Sequence, residues 1–197
     1  MIKNIFLDRG NVLLLFNPDI PLNEFCKTEE EKDIIRKAYF EGEEWLKTDY
    51  GEIKDKDLVD KIKNKVPEIY HESLKKVAEN YDTHMIPFKG AKEFCDYIKN
   101  KGYGIYILSN ASDRFYQYFP RFLPLNYFNG VVVSSDINMI KPYEGIYKYI
   151  LDKYKLNAEE CLFIDDREEN IEGARKVNIK VELFKNNYDE IIKKYNL

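Results

Sequence analysis

Cysteine, histidine and tryptophan are scarce in this chain: three cysteines, two histidines and one tryptophan among 197 residues. Cys26, Cys95 and Cys161 are odd in number, far apart, and form no CxxC pair. That pattern excludes a disulfide framework and a thiolate metal cluster, and predicts buried thiols in a reducing cytoplasm. His71 and His84 have no partner at ligand spacing, so a zinc site is not expected and both read as surface residues. No apolar run approaches the ~18 residues of a membrane helix. The N-terminal MIKNIFLDRG reads as a strand, without signal-peptide architecture. An excess of one charge is missing too: 31 basic and 35 acidic residues are intermixed, for a formal charge of −4. A solvated surface of that kind lacks the basic footprint of a nucleic-acid binder. The expectation is a cytoplasmic protein with no nucleic-acid or membrane partner, a monomer or weak dimer.

Apolar residues are plentiful, at 44%, enough for the core of one domain or of one domain with an insert. Residues 2–7 form a strand candidate. From about residue 19 to 86 the rhythm is helical, and nothing there looks like a strand. EEEKDIIRKAYFEGEEWL puts Ile34, Ile35, Ala38 and Tyr39 on one face, and DKDLVDKIKNKV does the same with Leu58, Val59 and Ile62. Pro67 suits the first turn of a further helix with Ile69, Leu74, Val77 and Ala78 as its apolar positions.

After Pro87, helix and strand alternate. The helices are GAKEFCDYIKNKG, closed by Gly102, then PYEGIYKYILDKY, REENIEGARKV and NNYDEIIKKYNL; the strands are YGIYILSN, GVVVSS, CLFIDD and IKVELF. The aromatic stretch RFYQYFPRFLPLNYF (114–128) is expected beside the cleft, or at a dimer or insert contact. Alternation of this kind predicts an α/β fold: a Rossmann-like parallel sheet covered by helices on both faces, built from residues 1–16 and 88–197. An all-helical insert, residues 17–87, interrupts it after the first strand.

Ligands of open α/β sheets collect at the carboxyl ends of the strands. Here those ends carry Asp8, Ser109-Asn110 and Asp165-Asp166, while Lys141-Pro142 opens the helix that follows GVVVSS. Each alone is ordinary turn or cap chemistry; their common placement is what points to a site. Three carboxylates in one crevice repel, and some must take up protons unless a cation lies between them. A hard cation with oxygen ligands, Mg²⁺ first, fits. Ser109, Lys141 and the backbone N–H groups around Gly10 suit an anion such as phosphate. Together they suggest phosphoryl transfer through an aspartyl-phosphate.

FLDRGNV, ILSN, IKP and FIDDREEN resemble, in order, the four motifs of the haloacid dehalogenase (HAD) superfamily of hydrolases. LFIDDREENIEGARKVNI, and WLKTDYGEI in the insert, resemble a subgroup that includes α-glucose-1-phosphate phosphatases and other sugar phosphatases. The resemblance implies a HAD core with a helical cap, and a Mg²⁺-dependent phosphatase of a small phosphorylated substrate. It implies Asp8 as nucleophile and metal ligand, with the Gly10 carbonyl and Asp166 completing the metal site and Asp165 acting through water or as an orienting acceptor. Ser109 and the Asn110 N–H would hold phosphate, Lys141 would bridge phosphate and Asp8, and Asn170 would steady the fourth motif. In the cap, Trp45 and Asp49 would meet substrate, Trp45 being read equally as a core residue.

One departure stands out. Many HAD phosphatases carry a second aspartate two residues after the nucleophile, as general acid and base; here that position is Gly10. The subgroup shares this glycine, so activity is still expected, but the acid is left unassigned between cap residues, water and the substrate's own hydroxyl. Gly10 is read as letting the backbone approach metal and phosphate closely. Arg9 reaches the phosphate or faces solvent, with solvent slightly favoured. Two alternatives stay open: a metal-independent 2-haloacid dehalogenase, and a phosphate-binding relative with weak turnover.

Overall fold

The computed structural model describes residues 1–197. Five apolar runs form one parallel sheet: β1 (Asn4–Leu7), β4 (Gly104–Ser109), β5 (Gly130–Val133), β6 (Cys161–Asp165) and β7 (Lys180–Leu183), in the order β5-β4-β1-β6-β7. The runs are nearly all apolar because both faces of the sheet are covered. Ile5, Leu7, Ile105, Ile107, Leu162 and Ile164 pack on one side with α6 (Ala91–Asn100) and α11 (Tyr188–Tyr195). Phe6, Tyr106, Leu108 and Phe163 alternate onto the other, with α9 (Glu144–Tyr154) and α10 (Glu168–Arg175). Full burial of each such side chain stabilises by ~1.5–3 kcal/mol. Leu7 pairs with Ile107 on one side and Ile164 on the other. That register sets Asp8 beside Leu108 and Asp165, with β4 running on to Ser109, and the chain reverses strand order at β1. Asp8 follows directly, its N–H donating to the Ile164 carbonyl at 3.0 Å.

The expected α/β core is present, with local differences. Ser134 and Ser135, expected to extend a strand, instead begin the short helix α8 (Ser134–Ile137). The 114–128 stretch contributes α7 (Phe115–Tyr118) and buries Phe115, Tyr118, Phe119, Leu123 and Phe128 in the core. All three cysteines are buried and unpaired.

Between the first strand and the rest, the chain is helical: α1 (Asp19–Phe25), α2 (Glu29–Ile35), α3 (Glu43–Asp49), α4 (Leu58–Ile62) and α5 (His71–Asn80). Leu22, Ile35, Tyr39, Leu58, Ile62, Leu74 and Val77 form its own core. The helices are shorter than the periodicity predicts. A π-turn over Arg36–Phe40 ends α2, and a Cβ at Gly42 would fall 2.6 Å from the Ala38 carbonyl oxygen. Pro67 opens only a 3₁₀ turn, α5 starts four residues later, and Ile69 is 80% exposed rather than packed.

The insert leaves and rejoins the core through one neck, where β2 (Leu14–Leu15) pairs antiparallel with β3 (Ile86–Pro87). It is tied to the core a second time by ions. Arg114 pairs with Asp55 at 3.2 Å and with Asp82, and Arg121 also pairs with Asp82. Asp55 additionally accepts from Tyr81 Oη at 2.8 Å and Ser112 Oγ at 3.2 Å.

Candidate active site

The carboxyl ends of the strands open into a cleft of about 350 Å³ between sheet and insert. On its floor Lys141 Nζ donates to Asp8 Oδ1 at 2.6 Å and to Asp165 Oδ2 at 2.7 Å, with the lysine fully buried. Two contacts fix that lysine. Asn110 Nδ2 donates to the Lys141 carbonyl at 2.9 Å while its Oδ1 accepts from the Lys141 N–H at 2.8 Å. Gly173 lets α10 close on the same loop, since a Cβ there would lie 2.2 Å from the Pro142 carbonyl oxygen.

Asp8, Asp165 and Asp166 each place a carboxylate oxygen within 4.8 Å of the others. Their hydrogen bonds differ, and so do the parts they can play. Asp165 is wholly buried and saturated, accepting from Lys141, the Arg167 N–H at 2.9 Å, and Asn170 Nδ2 at 2.9 and 3.1 Å. Asp166 takes one bond, from Asn11 Nδ2 to its Oδ2 at 3.0 Å. Asp8 Oδ2, Asp166 Oδ1 and the Gly10 carbonyl accept nothing from other residues. Three carboxylates against one contacting ammonium, with three hard oxygens left over, fit a divalent cation such as Mg²⁺.

Burial pushes the Asp8 carboxyl up to about 6, against the pull of Lys141 and with the repulsion of Asp165. Burial also raises Asp166, opposed by its bond from Asn11. Burial alone would strip the charge from Lys141, yet Asp165 and Asp8 hold its pKa above the usual value.

Not every sequence-derived residue lies where expected. Ser109 is wholly buried at the end of β4 and forms no part of the cleft lining; its Oγ meets only the Asn110 carbonyl, at 3.4 Å. Arg9 is buried, not solvent-facing. Its guanidinium lies 5.7 Å from the Phe16 ring centre and 5.6 Å from that of Tyr118, and its Nε has no partner. Gly10 is not sterically required: its backbone is not left-handed, and an added Cβ would meet only Asp8 Oδ2, at 3.5 Å. The left-handed residue is Asn11, φ 53°. Its role as donor to Asp166 escaped the sequence reading, although asparagine is a frequent occupant of that conformation.

From the cap, Trp45 and Asp49 do line the cleft, with Phe16 and Leu46 beside them. Trp45 serves two surfaces, because it also stacks on Phe16 at 6.1 Å and packs edge-on against Tyr39 and Tyr81. Burial pushes the half-buried Asp49 carboxyl up to about 7, against the pull of Arg9 and Lys141. Tyr143 and Arg167, which the motifs did not single out, complete the rim.

The chain matches haloacid dehalogenase-like hydrolases over residues 2–178 and belongs to that family. Among solved structures it is similar to a HAD family enzyme of Bacteroides thetaiotaomicron in complex with magnesium and inorganic phosphate. That pair is 22% identical, with a TM-score of 0.76, over 95% of this chain and 96% of the other. The L-2-haloacid dehalogenase of Xanthobacter autotrophicus, with chloropropionic acid covalently bound, is 16% identical with a TM-score of 0.66, over 92% of this chain and 76% of the other. The sesquiterpene phosphatase astK of Aspergillus oryzae is 28% identical over 83 residues, 42% of each chain. The chain spans between 10% and 42% of the length of the curated relatives it matches.

Proposed function

We propose that this hydrolase is a Mg²⁺-dependent phosphatase of a small phosphorylated metabolite, with a sugar phosphate as substrate class. One observation carries the reading: Asp8 has one oxygen held by Lys141 and the other unpartnered at the cleft floor, beside an unpartnered oxygen of Asp166. Residues 1–16 and 88–197 act as the chemical core and residues 17–87 as the cap. Asp8, Asp166 and the Gly10 carbonyl would hold the metal, with Asp165 orienting Lys141 from behind. Magnesium, when bound, supplies positive charge against the phosphoryl oxygens.

The Asp8 carboxylate is the nucleophile that takes the phosphoryl group on one oxygen while its other would face the metal, and Lys141 steadies Asp8 while drawing the anion in. Asn110 holds the phosphate through its backbone N–H, and the guanidinium of Arg9, which has no ion-pair partner, adds positive charge to the same wall. Trp45 offers an aromatic face to a sugar ring, which fits the sugar-phosphate reading.

Phosphate release from a panel of sugar and nucleotide monophosphates, with Mg²⁺ or with EDTA, tests the proposal. Release that requires Mg²⁺ and disappears in Asp8→Asn is expected; release indifferent to either overturns it. A buried arginine between two aromatic rings also suits a halide pocket, as a 2-haloacid dehalogenase requires. Halide release from 2-chloropropionate without metal would favour that second reading, though its chemistry leaves the Asp165-Asp166 pair without a purpose.

A further inference from the structure

Gly10 leaves the chemistry short of one proton donor, and the opposite wall of the cleft holds one. Asp49, the last residue of α3, is the only carboxylate that the cap contributes to the cleft lining, and it faces the same cavity as Asp8. Its side chain makes no hydrogen bond or ion pair. Its backbone, in contrast, is fastened to the core. Ser134 Oγ donates to the Asp49 carbonyl at 2.6 Å, and Asn138 Nδ2 donates to the Tyr50 carbonyl at 2.7 Å. Gly51, φ 77°, sits so close to α8 that a Cβ would lie 2.2 Å from the Ser135 carbonyl oxygen. Ser134 Oγ also accepts from the Ala111 N–H at 3.0 Å, directly after Asn110. A carboxyl group with no structural partner thus lines the same cavity as Asp8, on a stretch of backbone fastened to the core.

We infer that Asp49 is the general acid and base of the reaction, supplied by the cap in place of the side chain that Gly10 lacks. The inference rests on the phosphatase reading above. As the Asp8 carboxylate bonds to phosphorus, the phosphorus–oxygen bond to the leaving group breaks and the Asp49 proton passes to the departing oxygen, releasing an alcohol. The Asp49 carboxylate then takes a proton from the water that attacks phosphorus. The bond to Asp8 breaks, inorganic phosphate leaves, and Asp49 is an acid again. Groups facing Asp49 bias it both ways: Arg9 beside β1, Lys141 before α9 and Arg167 after β6 favour the carboxylate, while burial and Asp8 favour the acid. An acid poised between its two forms is what both half-reactions need.

The test compares leaving groups in wild type and Asp49→Asn, both with Mg²⁺. With glycerol 3-phosphate, whose alkoxide cannot leave unprotonated, kcat/KM is expected to fall ~10²–10⁴-fold. With 4-nitrophenyl phosphate, whose leaving group needs no proton, it is expected to fall less than about tenfold, with a burst of 4-nitrophenolate as the second half-reaction slows. Gly10→Asp added to Asp49→Asn is expected to restore activity on glycerol 3-phosphate, since the glycine has room for a side chain. Equal loss on both substrates with no such rescue, or no loss at all, overturns the assignment while leaving the phosphatase intact. Wild type that releases phosphate neither from these two esters nor from any of the sugar and nucleotide monophosphates overturns the phosphatase reading and this one with it. Should Asp49→Asn melt early, Asp49→Glu carries the same comparison: it keeps the acid, and the selective loss is expected to shrink.

Discussion

Two clusters of ion pairs join distant parts of this molecule, and their charge balance differs. In the cap–core contact, Arg114 and Arg121 face Asp55 and Asp82, two cations against two anions, with Tyr81 and Ser112 taking up further lone pairs. At the strand ends, Lys141 alone touches Asp8 and Asp165, with Asp166 close by. The first cluster is electrically complete and holds two parts together. The second is short of positive charge, contains an Asp8 carboxyl that burial pushes up, and leaves oxygens unpaired. A deficit of that kind is unfavourable for the fold alone and is what a cation and a phosphate can relieve.

The contrast is sharpest at the two key cations. Lys141→Met in metal-free protein leaves two buried carboxylates facing each other, and a cost of ~3–5 kcal/mol is expected. Urea unfolding with EDTA measures it, and added Mg²⁺ should recover part of the loss. A cost under about 1 kcal/mol would mean that the site tolerates its deficit without the lysine, and the contrast would fail. Arg114→Met should cost ~1.5–3 kcal/mol in the same assay. Arg121→Met should cost well under 1 kcal/mol, because Arg121 is 51% exposed and Arg114 only 13%. Equal costs would deny that burial sets their difference.

The smaller signature is a pH dependence. Asp8 has a folded pKa of about 6, above that of an unfolded aspartate, so the folded chain binds the extra proton. Its contribution to stability is therefore present below the unfolded pKa and lost as pH rises through about 6. Metal-free wild type should gain about 1 kcal/mol between about pH 7 and pH 5 relative to Asp8→Asn, read from paired unfolding curves. A difference of opposite sign would mean that Lys141 outweighs burial at Asp8.

The sequence made the strand ends legible because a continuous apolar run stops abruptly at Asp8 and Asp165, and strand ends are where such sheets gather ligands. It left the cap obscure for equally physical reasons. Helices of five to ten residues, α1 to α5, lack the length over which a 3.6-residue period declares itself, so Ile69 passed for a packed residue when it is exposed. Arg9 looked solvent-bound because no local pattern announces a guanidinium wedged between Phe16 and Tyr118, the latter 109 residues away. The Arg114 cluster joins residues more than thirty positions apart, a pairing that neither periodicity nor spacing encodes.

The neck has a consequence for how the molecule can vary. Leu14 pairs with Pro87 and Leu15 with Ile86, so the insert begins and ends one strand spacing apart, ~4.8 Å. Any segment whose ends meet at that spacing can stand in for this one without disturbing the register of β1 with β4 and β6. The helical insert is thus a module joined to the sheet through one strand pair, with Arg114, Arg121, Ser134 and Asn138 as its further ties. What such a replacement would take away is Asp49, the one carboxylate the insert brings to the cleft, together with Asp55 and Asp82, the partners of Arg114.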